Sequence, residues 1–295
     1  MEDPTALFMH LRPRLLGIAY RMLGSAAEAE DVVQEVWLRW HGADRGQIAC
    51  PEAWLVTTTV RRAVDELRLV RHAREHYVGM WLPEPILTEG PATPEAVLEI
   101  ASDLSVAFLS VLERLAPDAR AAFLLHDIFD QDYAQVAVTL EKSEAACRQI
   151  IHRARQQLRL ERRRYRVPED VHRRLMQQFA EAAISGDLEQ MKALMDDSAI
   201  LLGDGGGVVP SFPRPLVGGD RIARLFYAPH LRDAHRMRIE PRFFNGRLGL
   251  LRYFDGLLES AMAFDTDGSR IVEVLVQRNP AKLARIMDNA IARIR

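Results

Sequence analysis

The sequence predicts a multi-domain chain: two all-α helical domains joined by a proline-containing linker, then a C-terminal α+β domain. Three observations carry this reading. Apolar residues recur at helical spacing, with well-placed caps, through the first 76 residues and again over 101–166. Residues 77–100 interrupt that pattern with Pro83, Pro85, Pro91 and Pro94, which push the residues before them out of helical conformation. Over 167–295 the style changes to one helix, a Gly-rich stretch and short runs divided by Asn-Gly and Asp-Gly pairs, the chemistry of tight hairpins.

Asp3-Pro4 offers an N-cap with proline at the first helical position and opens a helix to about Leu23. Its stripe is Leu7, Leu11, Leu15, Ile18 and Met22. Gly24 ends it, and Ser25 with Glu28 has the spacing of a capping box for a second helix to about Trp40. A third helix opens at Pro51 and runs to about Arg74. In the second block Pro117, Asp132-Tyr133 and Ser143 each open a helix. Beyond Pro168 the pattern predicts one amphipathic helix over about 169–195, then strands 238–244, 247–254, 257–265 and 270–277 in an antiparallel meander, and a last helix 282–295. Leu283, Ile286, Met287, Ala290 and Ile294 fall on one side of that last helix.

Charge is sorted rather than spread. From Lys142 to Arg166 there are nine Lys/Arg against only Glu144 and Glu161, in a chain whose net charge is −2. Such a patch is an electrostatic footprint for a polyanion. Tyr133–Leu140, the Glu141-Lys142 step and the basic helix form a helix-turn-helix spacing that places the second helix in a major groove. Cys147, Ile150, Ile151, Ala154 and Leu158 share its inner face; Glu144, Ala145, Arg148, Gln149 and His152 share the outer one. Arg and Gln make bidentate contacts to base edges, while Arg153, Arg155 and Arg159 suit phosphates. The competing reading is a solvated basic face of a helical bundle. A second basic helix, Trp54–Arg68 continuing to Arg71 and Arg74, leaves Arg61, Arg62 and Arg68 available to solvent.

Residues 26–35 invert the charge, with Glu28, Glu30, Asp31 and Glu35 and no base, interleaved with Val32 and Val33 and followed by Val36 and Trp37. This is either a docking face for a basic partner or ordinary core with solvated carboxylates outside. Composition narrows the rest. Apolar content of 48% and charged content of 27% are those of a soluble globular protein. Cys50 and Cys147 form no Cys-x-x-Cys pair, so no disulfide framework, structural metal or cofactor is expected. No apolar run spans a bilayer and no leader stands at the start, so a cytoplasmic location without membrane contact is expected.

These pieces in this order resemble a bacterial σ70-family transcription initiation factor of the extracytoplasmic-function (ECF) type. Asp31-Val-Val-Gln-Glu-Val-Trp37 is similar to the region 2 signature that binds the clamp of core RNA polymerase, which implies that role for Asp31, Gln34, Glu35 and Trp37. Trp54-Leu55 with Asp65 and Arg68 resembles the segment that captures the −10 element, implying DNA contacts for Arg61, Arg62 and Arg68. Leu112 through Arg155 resembles region 4, which reads the −35 element, here with Glu144, Arg148, Gln149, His152, Arg153 and Arg155. Many ECF factors carry Asn where this chain has Arg61.

The remainder is similar to the ECF subgroup with a fused SnoaL-like domain, a cone-shaped α+β barrel. Tyr77-Val-Gly-Met-Trp-Leu-Pro-Glu-Pro-Ile86 resembles its linker motif, with Trp81 and Pro83 as a docking strip. Asp204-Gly205-Gly206-Gly207 and Asn279-Pro280-Ala281-Lys282-Leu283 resemble its two C-terminal motifs, with Val208 where lysine is usual and Ala281 where aspartate is usual. The resemblance implies a sigma factor that binds promoter DNA, makes or breaks no bond, and is regulated in cis by its C-terminal domain, with a small-molecule ligand as a further partner. Two alternatives remain at this point. One is a helix-turn-helix repressor whose C-terminal domain senses a ligand. The other is a catalytic C-terminal domain with His230, His235, Asp204 and Asp265 lining a pocket, although no spacing among them forms a recognised acid/base or metal arrangement.

Overall fold

A computed structural model describes residues 4–88, 105–162 and 167–292. They divide into two compact units, one holding residues 4–75 and 109–161, the other 76–88, 105–108 and the chain from Arg162 on. Expectations falling on Asp3, on Pro91 and Pro94, on Arg163, Arg164 and Arg166, and on Ile294 lie outside the described residues.

The first unit begins with three mutually packed helices, α1 (Pro4–Leu23), α2 (Ala26–Gly42) and α3 (Pro51–Glu75). Of the stripe expected on α1, Leu11, Leu15, Ile18 and Met22 are buried and Leu7 is half-buried; α2 contributes Val32, Val33, Val36 and Trp40 to the buried set and α3 contributes Leu55, Ala63 and Leu67. Ser25 caps α2 by accepting the Glu28 N–H at 3.3 Å, and the Glu28 carboxylate accepts from Arg74 at 2.9 Å. The second helical block comprises α4 (Val106–Leu112), α5 (Pro117–Phe123), α6 (Tyr133–Leu140) and α7 (Glu144–Arg162). Pro117 opens α5, which runs on into a π-helical turn over 124–128. Asp132 and Gln135 close a full capping box on α6, and Glu141 ends that helix in the left-handed region at φ 54°.

The second unit corrects three expectations. The single helix over 169–195 is two, α8 (Glu169–Ser185) and α9 (Leu188–Leu194). Gly186 terminates α8 at φ 73°, and Asp187 caps α9 through the Gln190 N–H. The Gly-rich stretch is followed by a helix that the sequence reading lacked, α10 (Gly219–Asp233), which buries Ile222, Ala223 and Phe226. The sheet is mixed, not a pure meander: its seven strands run β1-β4-β5-β6-β7-β2-β3, and β2 (Met195–Asp204) pairs parallel with β7 (Ile271–Gln277).

The other strands are β1 (Leu87–Thr88), β3 (Leu216–Val217), β4 (Met237–Phe244), β5 (Arg247–Phe254) and β6 (Leu257–Thr266). Of the three expected turn pairs, Asn245-Gly246 and Asp255-Gly256 have positive φ at both central residues, the requirement of a type I′ hairpin, whereas at Asp267-Gly268 only the glycine does. Side chains alternate across the sheet. Leu201, Leu248, Leu250, Met262 and Val274 join α8 and α10 in one core, while Leu202, Leu251, Ala261 and Leu275 join Leu82, Leu283 and Ile286 in another. The last two lie on α11 (Pro280–Ala292). The result is the α+β, cone-like class expected.

Gly186 supports a test of this unit. A Cβ there would lie 2.3 Å from the His230 ring on top of the left-handed backbone. Gly186→Ala should destabilise the unit by at least the ~1–2 kcal/mol of an L residue in that region. In a His230→Ala background the steric part should vanish, measured as the difference in thermal midpoint between the pairs.

Candidate functional site

The helix expected after the turn forms as α7, with its inner face buried. Cys147, Ile151, Ala154 and Leu158 of α7 are buried, which turns Glu144, Ala145, Arg148, Gln149, His152 and Arg153 outward. Arg148 lies 5.0 Å over the Tyr133 ring and 3.0 Å from Glu144, contacts that orient it without covering it. Arg155 departs from this set. It is half-buried and its guanidinium forks onto the Asp127 carboxylate, with Nε 3.0 Å from Oδ2. In that bidentate pair Arg155 holds α7 on the π-helical turn.

On α2, Asp31 and Gln34 are exposed, and Glu35 accepts from Arg39 at 2.7 Å and from Arg62. Those partners hold the Glu35 carboxyl below its ordinary range, the Arg62 hydrogen bond being the largest cause. Trp37 is half-buried against Phe8, with ring centroids 4.8 Å apart. The sequence reading missed Leu38, which is 64% exposed beside these groups. Its signal was an apolar residue seven positions after Asp31 and four after Gln34, on the acidic face itself.

Of the α3 arginines expected to face solvent, Arg61 and Arg68 are exposed and Arg62 is half-buried, and each also has protein partners. Arg61 donates to the carbonyls of Thr139 (2.9 Å) and Val138 (2.8 Å), closing the end of α6. Arg62 is half-buried between Glu35 and Glu66. Arg68 reaches Asp118 at 2.7 Å, and Lys142 meets the same carboxylate at 2.9 Å. Nearly two turns further, Arg74 donates to Glu113 at 2.6 Å and to the Leu23 carbonyl at 2.7 Å. Beside the start of α3 lies a groove lined by Ala43, Asp44, Gln47, Ile48, Cys50 and Trp54.

In the second unit the linker motif meets both C-terminal motifs at one carboxylate. Asp204 is fully buried at the end of β2. Its Oδ1 accepts from the Tyr77 hydroxyl (2.6 Å) and the Gly206 N–H (2.9 Å). Its Oδ2 accepts from the Leu82 N–H (3.0 Å), Lys282 (2.7 Å) and Gln277 (3.3 Å). Lys282 also donates to the Leu82 carbonyl at 2.6 Å and lies 4.1 Å from the Trp81 ring centre, a cation–π contact. Asn279 donates to the Tyr77 hydroxyl at 2.9 Å, and burial together with Asp204 raises the Tyr77 pKa above its usual range.

The glycines make the approach possible. A Cβ on Gly206 would strike Asn279, and one on Gly207 would press on Val78. Gly205 holds the turn, since a Cβ there would lie 2.2 Å from the Val209 carbonyl. Pro83 is buried and offers its carbonyl to Gln277 at 3.5 Å; Leu283 shares a core with Leu82. Pro280 opens α11 but is exposed. The chain then continues as a strand: Leu87 and Thr88 pair with Phe244 and Phe243, while Ile86 exchanges hydrogen bonds with Asn245. Tyr77, Leu82 and Gln277 carry contacts that the sequence reading did not single out.

Comparison with known proteins now decides among the readings. Residues 7–73 match the family model of sigma-70 region 2, and 105–158 match that of sigma-70 region 4. The ECF RNA polymerase sigma factor SigJ of Mycobacterium tuberculosis is 40% identical over 250 residues, covering 82% of this chain and 78% of that protein. This chain belongs to the ECF RNA polymerase sigma factors. The probable ECF sigma factor SigI of the same species is 28% identical over 290 residues, 96% of each chain. The crystal structure of SigJ superposes with a TM-score of 0.76 at 32% identity, covering 95% of this chain and 98% of that one, so the likeness includes the C-terminal unit. This is a sigma factor for transcription initiation and not the repressor of the alternative reading. Sigma-70 regions imply binding to core RNA polymerase and promoter DNA. Among the described residues no helix is long and apolar enough to cross a membrane.

The four residues of the catalytic alternative stand apart in this sigma factor. Asp204 faces Gln277 across the sheet and Asp265 faces Glu273, roughly 13 Å apart at strand rise. His230 packs over Gly186, and His235 lies in the turn after α10. Asp265 is buried, and burial outweighs the Arg247 guanidinium 3.4 Å away, pushing its pKa up to about 8. The folded state therefore holds a proton that the unfolded chain has lost, and this contribution is present below about pH 4 and disappears as pH rises through 8. His172, held down to about 4 by burial, works oppositely as pH falls from 6.5. Asp265→Asn mimics the protonated form, so its thermal midpoint should gain on wild type between pH 5 and about pH 8 and level off above. A constant offset across that range would contradict the shift.

Proposed function

We propose that this sigma factor is tuned in cis, its C-terminal unit holding the segment between regions 2 and 4 and so setting how readily the two regions engage polymerase and promoter. The observation that carries this is the Asp204 carboxylate, buried among donors that come from the linker itself. The proposed division is region 2 over 1–76, linker over 77–100, region 4 over 101–166 and a regulatory domain over 167–295.

In this reading Asp31, Gln34, Glu35 and Trp37, with Leu38, meet the polymerase clamp. Arg148, Gln149, Glu144 and His152 read the −35 element while Arg153 touches phosphate. Arg61, Arg62 and Arg68, with the groove beside Trp54, serve the −10 element. The last role requires a change of partners, because Arg61 and Arg68 now bind Val138, Thr139 and Asp118, residues of the region 4 match. Elements named −10 and −35 lie about 25 base pairs apart, on the order of 80 Å at about 3.4 Å per base pair. Reading both demands that the helical regions separate. Only the linker joins α3 to α4, and with Tyr77–Thr88 bound to the C-terminal sheet that tether is shortened by up to roughly 40 Å at about 3.3–3.6 Å per residue.

Sigma factors act by binding rather than by chemistry, and we extend that to the C-terminal unit; its work is on the linker. We place the protein in the cytoplasm with its polymerase and promoter.

Two measurements test the reading. Charge reversal at Asp31→Lys/Glu35→Lys should weaken binding to purified core RNA polymerase at least tenfold, and unchanged affinity would remove the α2 face from the interface. Asp204→Ala in the full chain should speed hydrogen exchange at the Leu82 amide and change promoter output in reconstituted transcription. Equal output from a chain whose linker is demonstrably freed would overturn regulation in cis.

A further inference from the structure

A cavity of about 280 Å³ lies inside the C-terminal unit, walled by Leu201, Phe212, Leu225, Phe226 and Val276. Its size is just below the roughly 300–1,000 Å³ usual for small-molecule sites, which limits an occupant to a ring or short chain. Arg252 and Arg278 are the charged side chains in its lining. Both bind Glu259, Arg252 Nε at 2.8 Å and Arg278 Nη2 at 2.6 Å. Two guanidinium groups around one carboxylate leave a positive charge uncompensated, among side chains only 13%, 29% and 19% exposed. The Nε of Arg278 is shut off from solvent and has no acceptor. A partly desolvated positive charge set against apolar walls favours an anion carrying an apolar body and disfavours a cation.

The same strands connect this cavity to the linker. Leu201, Gly203, Val276 and Arg278 face the cavity, and the residues between and beside them, Leu202, Asp204, Leu275, Gln277 and Asn279, face the linker side. This is the period-2 alternation of a sheet. At its end the Arg278 N–H donates to the Asp204 carbonyl at 2.7 Å, so one residue carries the cavity's donor on its side chain and grips the linker-binding aspartate with its backbone.

We propose that this cavity binds a small monocarboxylate with an aromatic or aliphatic body, the carboxylate seated at Arg278 and Arg252, and that occupancy shifts the grip of Asp204 on the linker. The second half rests on the cis-tuning reading above; the first does not.

The test uses the full chain and hexanoate, benzoate, phenoxyacetate and 3-phenylpropionate, each beside its neutral primary amide, by calorimetric titration at pH 7. At least one acid should bind tenfold or more tightly than its amide. That preference should disappear in Arg278→Gln, and in Arg252→Gln should the first variant fold poorly. Leu225→Trp, which fills the cavity from α10, should abolish binding of acid and amide alike. If no acid outbinds its amide, or if the preference survives both arginine variants or the filled cavity, the site is wrong. With a binding acid in hand, hydrogen exchange at the Leu82 amide should change in wild type and not in Leu225→Trp. Binding without that change overturns the coupling alone. Transcription by Asp204→Ala judges the cis reading separately, since it needs no ligand.

Discussion

A carboxylate without solvent contact has to find its donors inside the protein, and Asp204 finds them in three separate stretches of sequence. Tyr77 and Leu82 come from the linker, Gly206 from the turn beyond β2, and Gln277 and Lys282 from the end of β7 and the start of α11. Neither the linker nor the two C-terminal motifs explains itself without the others. The glycines are there because backbone must come within reach of Asn279 and Val78; Lys282 is there because a buried anion needs a cation; the linker is extended because its Leu82 amide must point at the carboxylate instead of into a helix. β1 then lengthens the sheet by main-chain pairing, an interaction indifferent to side chains, and so adds hold without adding sequence signal.

Magnitudes separate this anchor from the contacts on α3. The Arg61 and Arg68 side chains are 44% and 55% exposed, so their ion pairs are worth about 0–1 kcal/mol each and weaken further in salt. DNA phosphate is a strong competitor for groups held so lightly. Asp204 is fully desolvated, and stripping a partner from a buried pair costs about 3–5 kcal/mol. Under the proposed regulation in cis, the arginine contacts are the ones DNA can displace unaided, whereas the linker anchor needs something to act on it.

What the sequence made legible was local. The Ser25 and Asp132 caps, Pro117, the two type I′ turns and the inner stripe of α7 are decided by neighbours within a few residues, and each formed where it was read. Long-range pairing was not legible. The parallel register of β2 with β7 joins segments some seventy residues apart and leaves no periodic trace. The α10 helix hid behind Gly218 and Gly219, which suggested a loop, although Ile222, Ala223 and Phe226 carry the helical spacing. The pairing of Arg155 with Asp127 was not legible either, because Asp127 lies in a π-helical turn that charge counting cannot see. Tyr77 and Gln277 escaped because hydrogen bonding to a single distant carboxylate has no spacing rule.

The alternation along β2 and β7 gives the anchor a physical means of being acted upon. A strand cannot move one face without moving the other, because successive side chains hang from the same backbone. Gly203 lines the cavity and Asp204 holds the linker; Arg278 lines the cavity and its amide holds Asp204. Gly203 leaves no slack, since a Cβ there would lie 2.5 Å from the Ser211 hydroxyl. An occupant that draws the Arg278 guanidinium inward therefore pulls on the peptide that positions the anchor. A ligand alters an equilibrium only by its differential affinity for the two states. In the proposed coupling the source of that difference is the Arg278 amide, which donates to the Asp204 carbonyl.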